Sequence, residues 1–269
     1  MRVGGTFLLG VGCQKGGTAW LFHYLESSAQ VDPGFRKEYH VWDALDLPSG
    51  GLARQRIENQ GGERAAFLRD PERYFDYFTG LLGRDGTRLT ADITPGYAAL
   101  STERLAMIRA GFEDRGVRPV AAFLLRDPVE RVWSAARMDV RRRGAEATED
   151  PETWISRMYV RPMYADRTRY DLTMAALEQA FPRSAIFYGF YERLFSADTL
   201  RPLCELLGID FHEPDVDRQV NVSPKAEGAT LPEETRRTIA RHFAPVYDAV
   251  QLRFPDLDLS ALWPSARLL

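Results

Sequence analysis

Short, almost entirely apolar runs alternate with amphipathic stretches along this chain. The runs at residues 6–11, 119–125 and 185–190 have the length and composition of buried β-strands. The more polar run at 88–95 also reads as a strand, which ends at a proline-marked turn. Apolar residues at helical spacing follow each run, over about 18–25, 102–112, 128–140 and 198–207. Buried strands that alternate with helices predict a central parallel sheet flanked by helices on both faces, in a three-layer α/β fold.

A glycine-rich turn separates the first strand from the first helix. Glycines at 10, 12, 16 and 17 surround Lys15, so the backbone can approach a ligand and free N–H groups can point at an anion. In nucleoside triphosphate-binding loops, a magnesium-binding Ser or Thr directly follows the lysine. Here Gly16 follows Lys15, and Thr18 comes later. The turn therefore predicts a phosphate site of another kind, with an ordinary tight turn as the alternative.

A second group of polar residues lies where the third apolar run ends. Asp127 is placed to cap a helix, Pro128 to occupy its first position and Glu130 to complete a capping box. Arg126 is then left at the carboxyl end of a central strand, where ligands of open α/β sheets bind. Its planar guanidinium and the hydroxyl of Ser134 suit a terminal phosphate. The alternative is a surface arginine paired with Asp127 or Glu130.

Composition limits the class of protein. With 269 residues, 45% hydrophobic and 27% charged, the chain fits a single domain over 1–269, with a mobile insertion expected at about 45–65. A net charge of -3 argues against a nucleic-acid partner, so any anion site must be local. Neither a signal peptide nor an apolar run near the ~20 residues of a membrane span is visible. Cys13 and Cys204 lack metal-ligand spacing, and we expect a cytoplasmic protein with free thiols and no membrane partner.

Two motifs together resemble those of the sulfotransferases that use 3′-phosphoadenosine 5′-phosphosulfate (PAPS). The run Lys15-Gly16-Gly17-Thr18 resembles their 5′-phosphosulfate loop, and the stretch from Arg126 to Ser134 resembles their 3′-phosphate motif. The likeness is closer to the heparan-sulfate type than to the cytosolic steroid and phenol type. It implies a P-loop-like fold and transfer of a sulfuryl group from PAPS, which leaves 3′-phosphoadenosine 5′-phosphate (PAP).

The resemblance also implies how the nucleotide is bound. Lys15 would bond the oxygen that bridges sulfur and phosphorus and stabilise charge on the departing bisphosphate. Tyr191 is similar to a tyrosine that contacts the adenine edge, and Trp20 stands where relatives stack a tryptophan on adenine, with core packing as the alternative. Lys225 lies where relatives close a basic loop over the phosphates, but their usual Lys-Gly pattern is absent. The 5′-phosphate would be held by backbone and hydroxyl donors of Gly16, Gly17, Thr18 and Ala19.

A catalytic base is implied by a third segment. Residues 38–43, Glu-Tyr-His-Val-Trp-Asp, resemble the heparan-type segment Glu-x-His-Phe-Phe-Asp, whose glutamate is the base. We therefore assign that role to Glu38 and an assisting role to His40, which is also the alternative base. A carboxylate serves best if burial lifts its pKa toward neutrality. Asp92 matches an acidic position in relatives, but Ile93 replaces the lysine that commonly follows it, which indicates a different acceptor.

The sequence says less about metal use, the acceptor and the oligomeric state. Sulfuryl transfer needs no magnesium and no metal-ligand spacing is visible, so we expect no metal. The acceptor is expected to be a small molecule or a carbohydrate, and the oligomeric state is unknown. Arg141, Arg142 and Arg143 would suit an anionic acceptor, with a solvated helix face as the alternative. A P-loop kinase or nucleoside triphosphatase and a nucleotide-binding module without catalysis are the competing functions.

Overall fold

Four parallel strands form the centre of the fold. The computed structural model describes residues 4–144, 148–215 and 231–269, and its strands lie in the order β2-β1-β3-β4. They are β1 Thr6–Gly12, β2 Leu89–Ile93, β3 Arg118–Leu125 and β4 Ile186–Phe190. Every neighbouring pair is parallel, which confirms the α/β class and the parallel sheet predicted from the buried apolar runs.

Helices connect successive strands and continue after the last one. Before β2 they are α1 Thr18–Glu26, α2 Trp42–Asp46, α3 Gly51–Gln60, α4 Gly62–Arg69 and α5 Glu72–Leu82. Then come α6 Thr102–Glu113, α7 Pro128–Arg143, α8 Pro151–Met158, α9 Pro162–Ala165 and α10 Tyr170–Ala180. After β4 follow α11 Ala197–Leu207, α12 Glu233–His242, α13 Ala244–Arg253 and α14 Leu259–Leu262. The segment expected to be a mobile insertion includes all of α3, and its mobility stays a prediction. No helix in the described ranges is both long and apolar enough to span a membrane.

The sheet separates two hydrophobic clusters, which makes three layers. Alternate residues of β1 point to opposite faces, so Phe7 and Leu9 join the larger cluster and Leu8 joins the smaller one. In the larger cluster the ring of Phe7 stacks on Phe112 with 3.8 Å between centroids. The smaller cluster packs α1 and α11 against the other face. Burial on both faces explains why β1 and β3 are almost wholly apolar.

The carboxyl ends of all four strands lie at one edge of the sheet. Gly10 of β1 pairs with Ile93 of β2 and with Ala122 of β3, and Leu125 of β3 pairs with Phe190 of β4. The turns after the four strands therefore come together at this edge. We call it the carboxyl edge.

The start of α7 differs in one respect from the prediction. The side chain of Asp127 accepts from the N–H groups of Val129 and Glu130, as a cap should. The backbone N–H of Asp127, however, donates to Glu192 at 3.2 Å, so the predicted capping box with the Glu130 side chain is wrong. A carboxylate from the turn after β4 takes that role.

Candidate active site

The turn between β1 and α1 ends in a helix N-terminus that no side chain caps. Gly17 precedes α1 with φ 92°, a left-handed conformation that favours glycine. A side chain there would also meet Leu194 at 2.6 Å and the ring of Tyr191 at 3.3 Å. The first turn of α1 carries no acidic residue. Its N–H groups and the positive end of the helix dipole therefore suit an anion.

Lys15 and Arg126 meet at this turn. Nη1 of Arg126 donates to the backbone carbonyl oxygen of Lys15 at 2.8 Å. The guanidinium carbon of Arg126 also lies 4.3 Å from the centroid of the Tyr191 ring, a cation–π contact. Residues that follow β1, β3 and β4 are thus brought together at the carboxyl edge.

The electrostatic surroundings of Lys15 are cationic. Burial lowers the pKa of Lys15 to about 8, and the positive charges of Arg126, Arg141, Arg142 and Arg137 contribute to the same shift. Arg141 and Arg142, for which a solvated helix face was the alternative, therefore lie within electrostatic range of Lys15. This group of cationic side chains repels Lys15, and a bound phosphate group would offset the positive charge.

Arg131 anchors the loop from inside the protein, a role that sequence reasoning missed. Its side chain is fully buried. Nη2 donates to Oε1 of Gln14 at 2.9 Å, and Nε donates to the Gln14 carbonyl oxygen at 3.2 Å. Nη1 donates to the hydroxyl of Thr168 at 3.1 Å. Since a buried guanidinium must have its donors satisfied, these contacts hold Gln14, the neighbour of Lys15, in place.

The other predicted nucleotide contacts have different settings. Ser134 lies buried on α7, and Thr18 is buried at the start of α1. Trp20 is buried in the smaller cluster, parallel to Tyr24 with 5.6 Å between ring centroids and edge-on to Phe195 at 4.9 Å. This is the core packing named as its alternative role. Lys225 lies outside the described residues.

Glu38 and His40 belong to a row of four charged side chains. Nζ of Lys37 donates to Oε1 of Glu38 at 2.6 Å. The other carboxylate oxygen of Glu38 lies 3.3 Å from Nε2 of His40, and Nδ1 of His40 lies 2.7 Å from Oδ2 of Asp43. Asp43 is buried on α2. The imidazole is thus held between two carboxylates. The sequence analysis assigned no role to Lys37 or Asp43, the other two residues of this row.

This row sets the charges of the two candidate bases. Burial acts to raise the pKa of Glu38, but hydrogen bonds from His40 and Lys37 lower it to about 2. Burial acts to lower the pKa of His40, but hydrogen bonds to Asp43 and Glu38 raise it to about 9. Burial therefore does not lift the pKa of Glu38 toward neutrality, the condition under which a carboxylate serves best as a base. At neutral pH Glu38 is a carboxylate and His40 is protonated.

The backbone on either side of His40 is clamped. The N–H of Tyr39 donates to the hydroxyl of Thr94 at 3.0 Å, and the N–H of Val41 donates to that of Tyr97 at 3.1 Å. Both hydroxyls donate in turn to Asp92, at 2.6 Å and 2.8 Å. Asp92 is fully buried, and burial raises its pKa to about 6 against the effect of these hydrogen bonds. Asp92 therefore orders the backbone of the predicted base segment, residues 38–43.

Lys15 and His40 share an uncommon backbone conformation. Their φ angles are 70° and 54°, and they are the only non-glycine residues with positive φ in the part of the chain that the structure describes. Such strain persists where surrounding contacts over-determine it, often at functional sites. Here the contacts are the Arg126 hydrogen bond at Lys15 and the Asp92 network around His40.

The base segment lies close to the glycine loop. Ile93, the last residue of β2, donates its N–H to the carbonyl oxygen of Lys37 at 3.2 Å. Ile93 also pairs with Gly10 of the neighbouring strand β1. Nζ of Lys37 lies 3.4 Å from the carbonyl oxygen of Ile93. An ammonium group therefore lies next to residue 93, where the sulfotransferases that the sequence resembles commonly have a lysine. The predicted phosphate loop and the predicted base segment thus share the carboxyl edge. No group of three or more possible metal-ligating side chains occurs within the described ranges.

Comparison with known proteins shows similarity at the level of structure. No protein-family model matches the sequence, and no curated protein matches it. The crystal structure of a sulfotransferase from Alicyclobacillus acidocaldarius aligns over 96% of this chain and 98% of its own, with a TM-score of 0.65 and 21% identity. At this identity the likeness establishes the fold alone.

Two further solved structures align more loosely. A sulfotransferase domain from the Synechococcus PCC 7002 olefin synthase has a TM-score of 0.46 and 15% identity, over 90% of this chain and 94% of its own. A sulfotransferase domain from the curacin biosynthetic pathway has the same TM-score and identity, over 91% and 99%.

Proposed function

We propose that this chain is a PAPS-dependent sulfotransferase that moves a sulfuryl group to a hydroxyl or amine of a small-molecule or carbohydrate acceptor. The observation that carries the proposal is the hydrogen bond from Nη1 of Arg126 to the backbone carbonyl oxygen of Lys15, 2.8 Å long, at the carboxyl edge. The two residues come from separate sequence motifs, each similar to a PAPS-binding motif. The sulfotransferase-like fold is consistent with it.

The donor nucleotide suits the residues at this edge. The 5′-phosphate takes the uncapped N-terminus of α1, with donors from Gly16 to Ala19. Arg126 and Ser134 take the 3′-phosphate, and Tyr191 takes the adenine edge. The surplus of positive charge around Lys15 favours a ligand with two phosphate groups over an uncharged one. No step needs a metal ion, because cationic side chains stabilise the departing phosphate.

In the proposed reaction, the acceptor oxygen or nitrogen attacks sulfur in line with the bond to be broken. A new bond to sulfur forms as the bond from sulfur to the bridging phosphate oxygen breaks, and PAP departs with that electron pair. Lys15 stabilises the negative charge that develops on the bridging oxygen. Glu38 takes the proton from the attacking atom.

Charge favours Glu38 over His40 as the base. At neutral pH the Glu38 carboxylate can accept a proton, whereas the raised pKa of His40, about 9, keeps its imidazole protonated. A carboxylate with a pKa of about 2 is a weak base. The proton therefore moves late, after bonding to sulfur has made the attacking atom acidic. His40 assists by holding the carboxylate, and Asp43 holds His40.

The proposal also covers the class of acceptor and the cellular compartment. The likeness of residues 38–43 to the heparan-sulfate type favours a carbohydrate or another polyhydroxyl acceptor. Arg141 and Arg142 lie within electrostatic range of Lys15 and favour one with an anionic group. We place the reaction in the cytoplasm.

Nucleotide binding tests the proposal most directly. We expect titration calorimetry to show tight binding of PAP without metal and much weaker binding of ATP with magnesium. Turnover is then measured with PAPS and a panel of hydroxyl and amine acceptors, by mass spectrometry of the sulfated product. Preference for ATP with magnesium would overturn the proposal in favour of a kinase or nucleoside triphosphatase. Tight PAP binding without turnover on any acceptor would support a binding module instead.

A further inference from the structure

The segment after α14 packs against the turn that carries Arg126. The hydroxyl of Ser265 donates to Oδ1 of Asp127 at 2.5 Å, and the Ser265 N–H donates to Oδ2 at 3.1 Å. Both residues are buried. The hydroxyl of Tyr247 lies 2.6 Å from that of Ser265. Since the Ser265 hydroxyl donates its proton to Asp127, it accepts the hydrogen bond from Tyr247. A serine from a distant part of the chain therefore completes the shell of donors around this carboxylate.

The same segment also reaches the turn after β4. Nε1 of Trp263, which is fully buried, donates to Oε2 of Glu192 at 3.1 Å. The other carboxylate oxygen of Glu192 accepts from the N–H of Asp127 at 3.2 Å. Residues 263–265 thus hold Asp127 and Glu192, and the two acidic residues hold each other.

Each acidic residue follows a proposed nucleotide contact in the chain. Asp127 follows Arg126, Glu192 follows Tyr191, and the Arg126 guanidinium lies 4.3 Å from the Tyr191 ring centroid. Since a peptide bond leaves only two soft dihedrals per residue, fixing one residue strongly restricts its neighbour. The spacing of Arg126 and Tyr191 therefore depends on contacts made by the segment 263–265.

We infer that Ser265 and Trp263 are positioning residues for the nucleotide, because they set the place of Arg126 and Tyr191 through Asp127 and Glu192. The inference rests on the proposed function, in which Arg126 binds the 3′-phosphate. Neither residue touches the nucleotide itself. Loss of the Ser265 hydroxyl removes the shortest of three hydrogen bonds to Oδ1 of Asp127 and leaves those from Val129 and Glu130. Loss of the Trp263 N–H removes the donor to Oε2 of Glu192. Either change loosens the turn that carries the proposed nucleotide contact.

The preference for PAP over AMP is the test, since AMP lacks the 3′-phosphate. Dissociation constants of both nucleotides are measured by calorimetry on the full chain. We expect Ser265→Ala to weaken PAP binding about tenfold and AMP binding much less, because Arg126 is displaced. General loss of stability lowers the folded fraction for both ligands alike and leaves the ratio unchanged. Ser260→Ala is the matched control, because that hydroxyl binds Asp258 in the same region at 2.9 Å.

A second variant covers a failure of Ser265→Ala to fold. Trp263→Phe keeps an aromatic ring in the core but removes the donor to Glu192, and we expect the same loss of preference for PAP. Wild-type preference for PAP in the folded variants would overturn the inference and leave the proposed function intact. A wild-type chain that binds PAP no better than AMP would overturn the proposed function, and the inference with it.

Discussion

The guanidinium of Arg126 hydrogen-bonds to the backbone of Lys15, 111 positions away in the chain, rather than to an acidic neighbour. The sequence left a pairing of Arg126 with Asp127 or Glu130 open. Asp127 instead accepts from Val129, Glu130 and Ser265. The arginine therefore holds the predicted phosphate loop, and under the proposed function its other guanidinium donors bind the 3′-phosphate.

Binding of PAP is expected to depend on the protonation of Lys15. The pKa of Lys15 is lowered to about 8, so the free protein loses this positive charge as the pH rises through 8. A bound bisphosphate favours the ammonium, and the dissociation constant should rise about tenfold from pH 8 to about pH 9.5. Lys15→Arg should remove this dependence, since arginine stays charged throughout. Calorimetry at several pH values measures it, and an equally steep rise in the variant would contradict the assignment.

Turnover should also fall when the charge at position 15 is removed. We expect Lys15→Met to lower kcat by about 10²- to 10³-fold, the usual cost of removing one group that stabilises transition-state charge. The measurement is product formation at saturating PAPS and acceptor. Arg54→Met is the control, because Arg54 is exposed and paired with Glu58 on α3. Unchanged turnover in Lys15→Met would rule out a role for this ammonium in the reaction.

The pH dependence of turnover distinguishes the two bases. With Glu38 as the base, kcat should change less than about threefold between about pH 6.5 and 7.5, because the carboxylate is ionised throughout. With His40 as the base, only the unprotonated fraction would work, and the rate would rise about tenfold over that unit.

The matched variants test the same assignment. Glu38→Gln should lower kcat by about 10²- to 10⁴-fold, and His40→Gln should lower it less. A larger loss in His40→Gln, together with the steep wild-type profile, would make His40 the base.

Asp92 should make folding less favourable as the pH rises. Its pKa is raised from 3.8 to about 6 in the folded protein, so its protonated form favours folding. This contribution is fully present below about pH 4 and is lost as the pH rises through 6, at a cost of about 3 kcal/mol. Urea unfolding at several pH values measures the free energy of unfolding. The difference between wild type and Asp92→Asn should change across this range, and that between wild type and the exposed Asp256→Asn should not.

Local patterns were enough to locate the sheet and its carboxyl edge. The runs that form β1 and β3 are almost wholly apolar because both faces of these strands are buried, and they end where the turns with Lys15 and Arg126 begin. Asp127 caps a helix as predicted, because a cap depends only on residues next to it.

The sequence alone does not show which of two opposing effects on a side chain is the larger. The pKa of Glu38 depends on whether burial or hydrogen bonding wins, and that is decided by distances to Lys37 and His40. The inward turn of Arg131 and the contact of Asp127 with Ser265 depend on residues far along the chain. No periodicity of polar and apolar residues reports such contacts.

The contact of Asp127 with Ser265 also has a consequence during synthesis. Its partners are 138 residues apart. At about 5–20 residues per second, a ribosome needs roughly 7–28 s to make the intervening chain. A nascent chain that already contains both phosphate-binding motifs would still lack the support for Arg126. Affinity for the nucleotide should therefore appear late in translation, well after the sheet has its first three strands.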